Sequence, residues 1–100
     1  MAFVDSTVTQ FNTTTNLTAT GPAGVAAGHR LLAWVVQDNS GHTHTAATGW
    51  DATPLAQLTN TGPDAQLATL FEKKNASGSD SYDFTSSNST RAIVIVSAWS

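Results

Sequence analysis

Arg30-Leu31-Leu32-Ala33-Trp34-Val35-Val36-Gln37 decides the fold. In an extended chain Leu31, Ala33 and Val35 project to one side and Leu32, Trp34 and Val36 to the other. A strand that is apolar on both faces belongs in the middle of a sheet. One face meets a second sheet, and the other meets neighbouring chain or a partner. The same pattern returns at the far end, where Arg91 to Trp99 sets Ile93 and Ile95 opposite Val94 and Val96. An apolar, β-branched strand of that kind invites edge-to-edge pairing if left open. Three resolutions follow: it lies inside the sheet, a partner covers it, or the chain continues beyond Ser100. The last two are preferred.

Working outward, no helical period intervenes. The chain has one Glu and two Lys but 16 Thr and 10 Ser, and turn residues recur every ten or so positions. That is the pattern of several short strands. Strands are predicted over Ala2–Phe11 (irregular), Thr13–Thr20, Arg30–Gln37, Pro54–Thr59, Ala65–Lys73, around Tyr82 and Phe84, and Arg91–Trp99. Turns fall at Gly21-Pro22-Ala23-Gly24 and Asn60-Thr61-Gly62-Pro63-Asp64. A polar loop covers Asp38–Thr48. Trp50, after Gly49, plugs one end of the interior. The predicted fold is an all-β antiparallel sandwich. Residues 1–20 form an irregular N-terminal arm with the first strands. Residues 21–100 form the sandwich, continued past residue 100 or completed by a partner.

The chain has 100 residues, 40% apolar, enough for one domain with one core. Only 11% of residues are charged, against ~25% in typical soluble proteins. Hydroxyls and amides therefore coat the surface, and these cost less to desolvate than charges. The net charge of -3 and a single adjacent basic pair, Lys73-Lys74, argue against nucleic acid and against an anionic membrane surface. No apolar run approaches the ~20 residues a membrane-spanning helix needs. Cysteine is absent, so no disulfide or thiolate metal site is available. The first residues, Met1-Ala2-Phe3-Val4-Asp5-Ser6, have neither the basic nor the apolar region of a signal peptide. Synthesis in a cytoplasm is the expectation.

Further along, Gly24-Val25-Ala26-Ala27-Gly28-His29-Arg30-Leu31-Leu32-Ala33-Trp34-Val35 precedes Gly49-Trp50-Asp51-Ala52-Thr53-Pro54-Leu55. Then come Ala68-Thr69-Leu70-Phe71-Glu72-Lys73, Ser81-Tyr82-Asp83-Phe84-Thr85 and Arg91 to Trp99. This order resembles a jelly-roll-like β-sandwich domain of bacteriophage structural and tail-associated proteins and of some bacterial surface proteins. The resemblance runs from about Gly21 to Trp99. It departs from the family where His29 replaces the usual acidic residue and where Asp51 follows the Gly-Trp pair. It implies architecture and a virion setting, and it carries over no catalytic residue.

Candidate chemistry is sparse. His42-Thr43-His44 would put two imidazoles on one face of a strand, with His29 as an imaginable third ligand. The plainer reading is two solvated loop histidines, and no metal or other cofactor is expected. Ser, His and Asp are plentiful, but no G-x-S-x-G elbow exists. Asp80 and Asp83 flank a strand as turn and solvent-face residues and not as paired catalytic acids. The glycines before Arg30 lead into a strand, so they build no phosphate loop. An enzyme is not expected.

Trp34, Trp50, Tyr82 and Trp99 would serve an alternative function, a carbohydrate-binding surface module with a glycan ligand. The leading expectation is a virion structural protein, either a capsid decoration (cement) protein or a tail- or fibre-associated module. It would attach to other virion proteins and form a homo-oligomer, with avidity from repeated weak contacts. Phe3, Val4, Phe11 and Leu17 of the arm, with Trp99, are the expected docking residues. On that reading, deleting residues 1–20 abolishes particle association and leaves the sandwich folded.

Overall fold

The computed structural model describes residues 2–78 and 80–100, and among them every regular element is a strand. The strands are β1 (Phe3–Phe11), β2 (Asn16–Thr20), β3 (Arg30–Asp38), β4 (His44–Thr45), β5 (Ala56–Asn60), β6 (Gln66–Lys73), β7 (Ser81–Ser86) and β8 (Ala92–Trp99). They form a five-stranded sheet in the order β1-β8-β3-β6-β5 and a three-stranded sheet in the order β2-β7-β4. All pairings are antiparallel. The chain changes sheet at almost every step, and among the described residues only β5 and β6 form a hairpin between neighbours in sequence.

Alternation builds the core. Leu31, Ala33 and Val35 of β3, Val94, Val96 and Ala98 of β8 and Phe71 of β6 face inward, fully buried. Leu17, Ala19, Tyr82 and Phe84 from the smaller sheet meet them. The two sheets thus share one interior, as a sandwich requires. Trp50 caps it, its ring edge-on to Tyr82 at 5.2 Å and to Phe84 at 5.0 Å.

Three expectations change. The C-terminal strand β8 lies inside the larger sheet between β1 and β3, so neighbours in this chain already satisfy both its edges. The N-terminal segment is no arm outside the sandwich: β1 pairs with β8 from Phe3↔Trp99 to Phe11↔Ala92, with a bulge between Phe3 and Asp5. β2 pairs with β7 and buries Leu17 and Ala19 in the core. Deleting residues 1–20 would therefore remove one strand from each sheet and part of the interior. Finally, the Asp38–Thr48 loop contains a two-residue strand, β4, held by His44↔Ser86 and Thr45↔Thr85.

Gly21 follows β2 where the chain passes tightly beneath Asp80. Its N–H donates to the Asp80 carbonyl at 2.6 Å, and a Cβ there would overlap that same oxygen. Because the obstacle is backbone, relief requires the turn to move. Gly21→Ala should cost about 2 kcal/mol, read as a lower urea midpoint at unchanged slope. Gly28→Ala has open space around its Cβ and meets only the backbone strain of φ +89°.

Candidate functional site

The two outer faces of the sandwich differ in chemistry. On the smaller sheet the outward positions are Asn16, Thr18, Thr20, Ser81, Asp83 and Thr85. Thr18 donates across the strands to Asp83 at 2.9 Å. This is an ordinary solvated face. The larger sheet is the reverse. Its register sets Val8, Ile95, Trp34, Leu70 and Ala56 side by side across five strands. The next row is Gln10, Ile93, Val36, Ala68 and Leu58.

Val8 and Leu58, on the two edge strands, are 60% and 63% exposed, and Ile93 and Ile95 are each 37% exposed. With strands ~4.8 Å apart and rows ~7 Å apart, these two rows span on the order of 300 Å². An apolar patch of that size on a small chain is often functional. Its charges sit at the two ends and are already matched. Arg30 pairs with Glu72 at one end, and Arg91 contacts Asp38 at 3.1 Å at the other. Beside the second pair, a hollow of about 260 Å³ opens among Gln10, Val36, Arg91 and Ile93.

Between the sheets, at one end, lies a polar cluster. Gln37, His44, Thr69 and Ser86 are all buried. The Gln37 amide nitrogen donates to the carbonyls of Asn88 (3.0 Å) and Thr90 (3.2 Å), which fixes its orientation. Its Oε1 must then accept, from Ser86 Oγ at 2.6 Å and from His44 Nε2 at 3.0 Å. His44 therefore carries its proton on Nε2, and its Nδ1 accepts from the Thr69 hydroxyl at 2.8 Å. Gln57 donates to Thr69 Oγ1 at 3.3 Å.

His42 Nε2 faces His44 Nε2 at 3.2 Å and must be unprotonated there, which leaves its proton on a buried Nδ1 without a partner. Burial lowers the pKa of both histidines. That of His44 falls to about 4, with the neighbouring His42 charge as the smaller cause. Both rings are neutral at pH 7.

The expected docking residues separate. Leu17 is a core residue and is withdrawn from any docking surface, whereas Val4 and Phe11 pack half-buried against the core, Phe11 also lining the hollow beside Arg91. Phe3 remains 56% exposed and packs edge-on to Trp99 at 5.5 Å, at one end of the larger sheet. Trp99 is half-buried, its indole N–H donating to Ser97 Oγ at 3.0 Å.

The four aromatics of the glycan reading do not gather. Trp34 lies in the outer face, while Trp50 and Tyr82 are core. His29 accepts from the Ala26 N–H at 3.1 Å within its own turn. Asp83 is bonded to Thr18, and Asp80 to the N–H of Ser81. Among the described residues no three or more His, Cys, Asp or Glu come together.

Sequence reasoning missed Val8, Leu58, Gln37, Thr69 and Ser86. Two of these carried a local signal. Gln37 continues the inward series of Leu31, Ala33 and Val35, and Val8 alternates outward with Ser6 and Gln10.

The fold and this surface define a class: an all-β sandwich with one solvated face and one apolar face. No protein-family model, curated protein or solved structure matches the chain.

Proposed function

We propose that this protein is a non-enzymatic structural module that works by protein–protein attachment, with the outer face of the larger sheet as its contact surface. One observation carries the reading: apolar side chains lie side by side across all five strands, and the opposite outer face is wholly polar. A solvated monomer gains nothing from such an asymmetry, whereas an interface gains the transfer of that patch from water. The contact surface is thus the outer face of the whole larger sheet, β1 included, and not a separate N-terminal arm. The alternation of successive strands between the sheets is read as a jelly-roll-like wrapping. Together with the resemblance over Gly21 to Trp99, it supports a virion setting, as a capsid decoration protein or a tail- or fibre-associated module. Its partners are virion proteins and further copies of itself. The low charge fits repeated docking on a lattice, where few ions need to be stripped of water.

The test is Ile95→Lys combined with Val8→Lys. Both side chains point outward, so the strand-type circular dichroism should persist, at a cost of about 1–3 kcal/mol because Ile95 is only 37% exposed and the two lysines would stand directly opposite each other across β1 and β8. Association should fall at least tenfold, read as the mass of the oligomer in light scattering and as co-sedimentation with particles. Variants that associate as the parent does would end this reading. So would a parent protein that stays monomeric and ignores particles.

A further inference from the structure

We propose that His42 and His44 form a binding site for a divalent transition-metal cation, with the Gln37 side-chain oxygen as a third donor. The geometry points there first. The two Nε2 atoms face each other at 3.2 Å, and Gln37 Oε1 lies 3.0 Å from His44 Nε2. A cation at 2.0–2.1 Å from two imidazole nitrogens in tetrahedral geometry holds them about 3.4 Å apart. The pair therefore needs only a few tenths of an ångström of opening.

Three elements converge to make this arrangement. β3 brings Gln37, β4 brings His44, and the loop just before β4 brings His42. Ser86 Oγ on β7, 2.6 Å from Gln37 Oε1, stands beside the remaining position, which it or a water can take. His42 is half-buried and gives the ion a route from solvent, while His44 is buried behind it.

The protons are already arranged for this. A nitrogen ligand presents a lone pair and not a proton to the ion. His42 already presents an unprotonated Nε2. His44 must move its proton from Nε2 to Nδ1, where Thr69 Oγ1 waits at 2.8 Å. That hydroxyl changes from donor to acceptor, no proton is lost overall, and a histidine ligand gains the outer hydrogen bond that orients such rings.

All the ligands are uncharged. Calcium and magnesium, which depend on carboxylate oxygens, are thereby disfavoured. Copper(II), nickel(II) and zinc(II), which accept imidazole nitrogen, are favoured, copper most.

The test is calorimetric titration of the chelator-treated full chain with Cu²⁺, Ni²⁺ and Zn²⁺, alongside Mg²⁺ and Ca²⁺, followed by thermal melting with each ion. One equivalent of Cu²⁺ or Zn²⁺ should bind per chain and raise the melting temperature until saturation. Mg²⁺ and Ca²⁺ should do neither. His42→Gln, at a half-buried position, should fold and bind at least tenfold more weakly. His29→Gln should bind as the parent does. The proposal is overturned if no nitrogen-preferring ion binds, if the ion lowers the melting temperature, or if His42→Gln retains the parent's affinity.

Discussion

Replacing Gln37 with leucine is expected to lower the stability of the metal-free chain by about 3–5 kcal/mol, measured as the shift in a urea unfolding curve. Leucine keeps much of the bulk and loses every polar function. Gln37 is 1% exposed and makes four hydrogen bonds through two atoms. Together they tie three segments: β4 through His44, β7 through Ser86, and the β7–β8 connection through both Asn88 and Thr90. Removing the amide strands the Ser86 hydroxyl and leaves the His44 Nε2–H with only the longer contact to His42 Nε2 at 3.2 Å. A buried polar group stranded in this way costs about 1–3 kcal/mol. The two carbonyls lose less, because Asn88 and Thr90 are half-exposed and reach water. Gln37→Glu should do nearly as badly, since a carboxylate cannot donate to either carbonyl. A loss below 1 kcal/mol for Gln37→Leu would show that the cluster contributes little. The replacement should also speed hydrogen exchange at the Asn88 N–H, which donates to Ser86 Oγ at 3.1 Å.

How much of this was legible beforehand depends on where each side chain finds its partner. β3, β6, β7 and β8 were readable because their own alternation names a buried face, and the structure places them as central or neighbouring strands. Trp50 was readable as a plug because a lone large aromatic after glycine has few other uses. β1 was not readable as an integral strand. Its inward positions include Thr7 and Thr9, so no hydrocarbon stripe announces a core face. Its partner, β8, comes from the opposite end of the chain. His44 sits among Ser, Gly and Thr and reads as solvent-facing. Its burial comes from pairing with β7 and from the Thr69 side chain, both far from it in sequence, and from Gln37, seven residues back across the loop. The apolar outer face was half-legible. Leu32, Trp34, Val36, Ile93 and Ile95 called for a cover, but only the register shows that Val8 and Leu58 extend the patch to both edges.

Phe84→Ala is expected to cost about 3–5 kcal/mol, and its comparison with Ile93→Ala separates folding from attachment. Phe84 is fully buried at the centre of β7. Its ring stacks on Phe71 of the larger sheet at 5.7 Å and meets Trp50 edge-on at 5.0 Å. It therefore joins the two sheets and the plug at one place. Truncation forfeits the transfer of a whole ring and leaves a cavity walled by strands and by another aromatic, none free to collapse inward. Ile93 differs in position and not in kind. It is an apolar side chain on a central strand, 37% exposed on the outer face, and its loss should cost the isolated chain about 1 kcal/mol. The order should reverse when association is measured, because an attachment surface buries Ile93 only in the complex. Phe84→Ala, assayed below its own melting temperature, should associate as the parent does, whereas Ile93→Ala should associate more weakly. If Ile93→Ala destabilises the monomer as much as Phe84→Ala does, the outer face is covered within the folded chain itself, and its side chains serve folding and not attachment.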